Sequence, residues 1–316
     1  MMNNRDFLGV SCVVLALFVF GALRYEHFLS AYNLLEFSRY NTMFALISIG
    51  MAFVIMTGGI DLSVGTVAAL GSVVSALLSP LSAGGAIVAG MLAGTLCGVI
   101  NGWVITRLRI QPFIATLAMT LAAHGMALLL ANNQAIAPSY ESGFADFGQG
   151  DLFGLPIPLL VLVCVAVAAG IAHTHSTFGR HTLAIGGSEE AARLMGLNVE
   201  RNLLLVYALS GTLAGLAGVF LAAQGSGQPN EGMGWDLFAI SAVVVGGTLL
   251  SGGAGSIAAT LMGVLLLSLV FNLLNFENGL GQLNLSSYWQ SVIRGSFLFI
   301  VIVVQSTIIR SRKRTS

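Results

Sequence analysis

The chain has 316 residues, 56% of them hydrophobic and only 8% charged, with a formal net charge of zero. A soluble domain carries roughly a quarter of its residues charged, so the composition excludes a soluble globular protein and specifies a polytopic membrane protein. The one lysine, Lys313, rules out a phosphate-binding loop of the G-x-x-x-x-G-K-[ST] type, so any nucleotide that drives this protein must sit on another chain.

A spanning helix needs about 20 mostly apolar residues. In chain order, runs near 7–23, 37–57, 62–79, 84–106, 112–131, 156–172, 203–223, 237–250, 256–275 and 287–309 meet or approach that length. They show no strict alternation, which predicts helices rather than barrel strands. The expectation is an all-α polytopic membrane protein of about ten transmembrane helices in one domain covering 1–316. The eighth run is short and reads as a partial or tilted span. The first, with Arg5 before it and "FLSA" after it, also has the form of a cleaved signal peptide, whose loss would leave the remaining topology unchanged.

Ten spans put both termini on one side. With that side inside, Arg5, Arg107, Arg109, Arg180, Arg193, Arg201, Arg310, Arg312, Lys313 and Arg314 are inner, Arg24 and Arg39 are outer, and Arg294 falls within the last run. That bias predicts cytoplasmic termini. The basic tail at 310–314 reads as a topology anchor, not a nucleic-acid site. Segments 132–155, 224–236 and 276–286 are then outer. The joints at 58–61 and 251–255, the stretch 107–112 and the long loop 173–201 are inner.

Within that loop, "GGSEEAARLMGLNV" (186–199) predicts a short helix. Gly186 and Gly187 break the chain, Ser188 is a suitable N-cap, and Glu189 and Glu190 occupy the first turn, where the helix dipole favours negative charge. Gly196 is placed to end the helix. Ala191, Leu194 and Met195 share one face by their spacing. The sequence alone leaves two readings: an interfacial helix lying on the membrane, or an apolar knob offered to a cytoplasmic subunit.

Four motifs, "GGIDLSVG" (58–65), "QPFIATLAMTLAAHGMALLL" (111–130), "TFGRHTLAIGGSEEAARLMGLNV" (177–199) and "AISAVVVGGTLLSGGAGS" (239–256), resemble the permease subunits of ABC importers for simple sugars of the ribose, arabinose, xylose and galactofuranose type. The stretch "LNFENG…LSSYWQSVIRGSFLFIVIVVQ" (274–305) looks most like the galactofuranose and ribose members. The resemblance implies a type II importer permease without enzymatic activity in the bacterial inner membrane. It also implies pairing with a second permease copy or a sister permease, a cytoplasmic ATPase that binds ATP and magnesium, and a periplasmic sugar-binding protein. It implies no cofactor in this chain. By that pattern Glu190, Ala191, Ala192, Leu194, Met195, Gly196 and Leu197 form the helix that couples to the ATPase. His124-Gly125 stands where members often carry Arg-Gly, so no role transfers to His124 from the family.

Other features weigh against different chemistries. "GQGD" (148–151) matches an aspartyl intramembrane protease pattern, but Asp151 falls in a polar loop and no Tyr-Asp pair supplies a second carboxylate. His173, His175 and His181 lack a carboxylate or cysteine at ligand spacing, and Cys12, Cys97 and Cys164 lie far apart in apolar runs, so no metal site is expected. Uncharged polar residues on spans suit a sugar path, which nominates Asn41, Asn101, His124 and Asn272. Each of these could equally bond a neighbouring helix. Arg294, costly inside hydrocarbon, reads as a path residue, as one that snorkels outward to help bind the delivery protein, or as one paired structurally with a residue such as Asp236. Arg24 and Arg39 are the outer cations available for docking a binding protein, or are plain topology flanks.

"GGIDLSVG" (58–65) and "GGTLLSGG" (246–253) share G-G-x-x-L-S-x-G, and both fall at inner joints. Gly58, Gly59, Asp61, Ser63, Gly65, Gly246, Gly247, Ser251 and Gly252 are therefore read as inner-face hinges, with Asp61 and Ser63 capping the helix that follows. A self-sufficient secondary transporter is the alternative class, and it would need an ion or proton site near the midplane.

Overall fold

The computed structural model describes residues 4–280 and, beyond them, Trp289, Val292, Ile293, Gly295, Ser296 and Phe299. Helix α1 (Asn4–Arg24) is followed by α2 (Ala31–Met56), α3 (Val64–Leu78), α4 (Ala83–Arg107) and α5 (Pro112–Ala131). A short helix α6 (Phe144–Gln149) and a two-residue hairpin, β1 (Asp151–Leu152) against β2 (Leu155–Pro156), lead into α7 (Ile157–His175), α8 (Thr177–Gly187) and α9 (Glu189–Leu194). Helices α10 (Val199–Gln224), α11 (Trp235–Val245) and α12 (Ile257–Gly279) follow. Six of these are long and apolar enough to cross a membrane, and α1, α3 and α11 contribute shorter apolar segments. Each of the first nine expected runs thus coincides with a helix. Most of the tenth, Arg294 and the basic tail lie outside the described residues.

Helix starts are set by local chemistry. Ser30, Ser82, Ser176, Ser188 and Ser256 each accept, through the side chain, a backbone N–H of the turn they open, and Asn198 does the same for α10. Pro112 and Pro158 sit in the first turns of α5 and α7, where a missing N–H costs nothing. Between α1 and α2, the phenol of Tyr25 donates to Glu277 Oε1 at 2.7 Å and ties α1 to α12. Burial, and then that carboxylate, push Tyr25 up to about 12.

Helix α10 is the axis of the bundle and packs on α4, α3 and α2. Its contact with α4 is made of glycines at a spacing of four. A Cβ on Gly94 would stand 2.2 Å from Gly211 O, one on Gly211 2.2 Å from Gly94 O, and one on Gly98 2.2 Å from Tyr207 O. Gly90 and Gly215 continue the seam: a Cβ on Gly215 would fall 2.6 Å from Gly90 O. Where lipid removes the hydrophobic drive between helices, such close backbone approach supplies the packing. A hydrogen bond between the Thr95 and Thr212 hydroxyls, at 2.7 Å, crosses the same seam.

Two stretches of non-helical backbone run inside this bundle, and neither is what the sequence predicts. Residues 57–63 do not stay at the surface as a hinge but climb back along α10. Asp61 meets Ser210, which lies ~17 Å along a helix ~39 Å long at 1.5 Å per residue. The second stretch, 225–234, descends beside α3, with Ile136 and Gly227 exchanging backbone hydrogen bonds at 2.9 and 2.8 Å and Gln228 N–H donating to Ser72 Oγ at 3.1 Å. The two meet where a Cβ on Gly65 would stand 2.0 Å from Gly232 O. The eighth run is short for this reason: α11 begins deep in the bundle. The loop expected at 173–201 is also largely helical, as α8 and α9.

Replacing Gly94 by Ala should separate α4 from α10 and destabilise the protein by about 1–3 kcal/mol or more. Gly125→Ala, where nothing lies within 4 Å of the added carbon, should be neutral or stabilising by up to about 1 kcal/mol. Thermal unfolding of the detergent-purified chain, followed by size-exclusion profile, distinguishes the two.

Candidate functional site

At one end of the bundle, here termed the junction face, three chain segments converge on glycine. Gly253 N–H donates to Met56 O at 3.0 Å, joining the end of α2 to the link between α11 and α12. A Cβ on Gly186, at the end of α8, would stand 1.9 Å from Met56 O and 2.5 Å from Gly253 N. A Cβ on Gly252 would lie 2.7 Å from Gly58 N and 3.0 Å from Gly186 Cα. Gly58 and Gly252 both hold positive φ, +84° and +81°, as the tight turns at this crossing require. Of the residues expected as hinges, Gly58, Gly59, Gly246, Gly247, Ser251 and Gly252 therefore belong to the two links at or beside this junction. Gly246 is packed on Ala259 O of α12.

Helix α9 starts one residue beyond α8. Ser188 accepts Ala191 N–H at 3.2 Å, and Gly196 takes φ +81° after the last turn. The helix ends at Leu194, so the expected span of Glu190 to Leu197 is shifted: Gly196 and Leu197 lie past it. Ala192 is fully buried in a small cluster with Ile185 and Val199, against which Leu197 packs. Leu194 and Met195 point outward, 83% and 68% exposed. One side of α9 is bolted to the α8–α10 corner while an apolar side is presented. Arg193 fixes it further, pairing with Glu189 at 2.9 Å and Glu200 at 3.5 Å, and Arg107 reaches Glu200 at 3.9 Å.

Asp61, Ser63 and Gly65 are not at the junction face. Ser63 donates to Asp61 Oδ1 through its backbone N–H at 3.0 Å and its hydroxyl at 2.6 Å, and Ser210 donates to Oδ2 at 2.9 Å. Asn101 Nδ2 donates to Ser63 Oγ at 3.0 Å, so Asn101 belongs to this buried network. Ser63 precedes α3 but makes no side-chain cap bond: its backbone is helical in place of the extended form of a cap, and its Oγ donates to Asp61 and accepts from Asn101. Two of the link carbonyls are met from α5: Thr120 Oγ1 donates to Leu62 O at 3.0 Å and Thr116 Oγ1 to Ile60 O at 3.3 Å. Non-helical backbone at membrane depth demands such internal partners.

Asn41 and Asn272 come together in a cavity of ≈ 270 Å³ between α2, α11 and α12. Asn33, Glu36, Tyr40, Ser268 and Asn275 add polar lining, and Phe37, Phe44, Phe238 and Phe271 add aromatic rings. Asn272 Nδ2 donates to Asn33 Oδ1 at 3.2 Å and Asn41 Nδ2 to Phe37 O at 2.7 Å. His124 stands apart on α5, half-buried, with a buried Nδ1 that meets no partner among the described residues. Arg39 is 17% exposed and spans Glu36 at 2.5 Å and Asp151 at 2.6 Å, both exposed carboxylates. That pair also accounts for the aspartate of "GQGD". Arg24 lies 3.6 Å from Glu277 and stacks over Tyr25. Among the described residues no cluster of His, Cys, Asp or Glu has metal-binding geometry.

Residues 33–302 match the family described as the permease component of the branched-chain amino acid transport system. The ribose import permease protein RbsC of Bacillus subtilis is 38% identical over 308 residues, 96% of this chain and 92% of the relative. The chain belongs to the simple-sugar ABC importer permeases. The L-arabinose transport system permease protein AraH of Escherichia coli is 37% identical to this permease over 94% of its length and 90% of the relative. The D-allose transport system permease protein AlsC of the same species is 32% identical over 92% and 88%. Among solved structures none matches. The permease is a multi-pass, all-α membrane subunit, and its family is not catalytic.

Gly186→Ala should break the junction and abolish transport, whereas Gly187→Ala, whose added carbon meets nothing within 4 Å, should leave it near wild type in vesicle uptake. Asp61→Asn keeps an acceptor for Ser63 and should assemble with partial transport. Asp61→Leu strands two buried hydroxyls, at roughly 1–3 kcal/mol each, and should fail to purify as a folded protein.

Proposed function

We propose that this permease carries a monosaccharide across the bacterial inner membrane with the junction face toward the cytoplasm and both termini there, in a bundle of ten spans. The inner excess of arginine supports that orientation. A separate ATPase, holding ATP and magnesium, seats on α9, and a periplasmic binding protein delivers the sugar at the opposite face. A second permease copy or a sister permease completes the membrane unit. The observation that carries the reading is α9 itself, with Leu194 and Met195 exposed on one side and Ala192 anchored on the other. The links at Gly186, Gly58 and Gly252 join that helix to the ends of α2 and of the α11–α12 link.

The cavity containing Asn41 and Asn272 supplies the path, since hydrogen-bonding amides beside phenyl rings suit a sugar's hydroxyls and its apolar ring face. The relatives named above transport ribose, arabinose and allose, which makes pentoses and aldohexoses the substrates to test. Coupling to an ion, as a secondary transporter requires, is disfavoured at Asp61: its two oxygens already accept three internal hydrogen bonds.

Copurification with the cognate ATPase should be lost in Leu194→Asp, an exposed change that spares the fold. Ala192→Asp would bury a charge and test only folding. In vesicles with ATPase and binding protein, Asn41→Ala and Asn272→Ala should each lower the maximal uptake rate by about three- to tenfold, the worth of one hydrogen bond. Half-maximal sugar concentration, set by the binding protein, should stay fixed. ATP-independent uptake against a gradient by the permease alone would refute the reading.

A further inference from the structure

A second cavity, of ≈ 630 Å³, opens at the junction face between the α4–α5 turn, the start of α10 and α9. Its charged lining is Arg109, Arg193, Glu189 and Glu200, with Gln111 beside them and Tyr207 at its deep end. Both carboxylates are already paired, Glu189 with Arg193 and Glu200 with Arg193 and Arg107. With its charges so engaged among themselves, the lining offers hydrogen-bond donors and acceptors side by side. A neutral ligand with many hydroxyls uses donors and acceptors alike.

Two further observations single the cavity out. Tyr207 is fully buried, and its hydroxyl meets no hydrogen-bond partner among the described residues. That hydroxyl lies where the cavity reaches Gly59, 2.5 Å from the position of an added Cβ. A buried hydroxyl left unpaired is expensive, so it is aimed at something that enters. Arg109, on the rim, takes φ +56°, a left-handed conformation rare for a side chain of its size. The turn that bears Arg109 and Gln111 is thus held in a costly shape beside the opening.

We propose that this cavity is a second binding site, for a neutral polyol of monosaccharide size, through which accumulated product acts on the coupling helix. The inference rests on the sugar and orientation readings above. Glu189 and Arg193 belong to α9, so a ligand bonded to them and to Tyr207 ties α9 to the α4–α10 core. Occupancy therefore holds α9 in one position and slows the cycle when sugar is plentiful on that side.

The test uses the assembled importer in vesicles, with permease, ATPase and binding protein, oriented so that the junction face lines the lumen. D-ribose, L-arabinose or D-allose at millimolar concentration is enclosed, and initial uptake of labelled sugar and ATP hydrolysis are measured. Lumenal sugar should slow both. Tyr207→Phe and, separately, Gln111→Ala should raise the lumenal concentration for half-inhibition by about three- to tenfold. Uptake into sugar-free vesicles should be unchanged in both variants, with thermal stability unchanged in Gln111→Ala and equal or higher in Tyr207→Phe, which removes an unpaired buried hydroxyl. Uptake that ignores lumenal sugar, or inhibition identical in wild type and both variants, overturns the inference while leaving the sugar reading intact. Absence of uptake for every sugar overturns both.

Discussion

Contact between the backbones of α4 and α10 is the constraint on which the rest depends. Side chains cannot mediate it, because the positions of absent Cβ atoms fall 2.2 Å from carbonyl oxygens of the facing helix. Glycines at 90, 94, 98 and 102 on one helix and 211 and 215 on the other remove the obstacle. With those two helices drawn together, α10 has faces left for α3 and α2, and the bundle closes around an axis that is buried along most of its length. Packing of this kind is stiff, since a single methyl group forces the helices apart.

That closure creates room for irregular backbone in the interior. The links 57–63 and 225–234 enter from opposite ends and end where α3 and α11 begin, close to each other at Gly65 and Gly232. Both helices therefore present their N-termini inside the bundle, where the positive ends of their dipoles favour an anion. Asp61, held by Ser63 and Ser210, stands just before α3, and Asp236 lies in the first turn of α11. The partial repeat at 246–253 carries Leu249 instead, because its link turns at the junction face, where Leu249 N–H bonds Ala254 O and no helix begins mid-bundle. Similar motifs at two joints thus serve two depths.

The junction face gives the proposed coupling a packed structure to act through. Helix α9 is short and shares an apolar cluster with α8 and α10. The glycine crossing packs the end of α8 against the end of α2 and the α11–α12 link. Helices α2, α11 and α12 also enclose the cavity that holds Asn41 and Asn272. A displacement at α9 has a contiguous packed route to the proposed path, through Gly186, Met56 and Gly253.

The sequence by itself determined the elements whose cause is local. Apolar runs long enough to satisfy their own backbone became helices. Ser188 and Gly196 bounded α9, and the family motifs identified the kind of permease. Residues 177–187 were missed as a helix because their glycines and threonines resemble a loop, although Ser176 is a sound N-cap. The spacing of four among the glycines of α4 was a readable signal of close helix contact that the hydropathy pattern concealed. Only the tertiary structure decided depth and partnership. It moved Asp61 from inner-face hinge to buried anchor, paired Arg39 with the exposed Glu36 and Asp151, and set Asn101 in a structural network while Asn41 and Asn272 line a cavity. An asparagine or an aspartate has the same bonding capacity wherever it lies in the chain. Its role follows from the donors that distant helices bring within 3 Å or so, and sequence spacing carries no record of them.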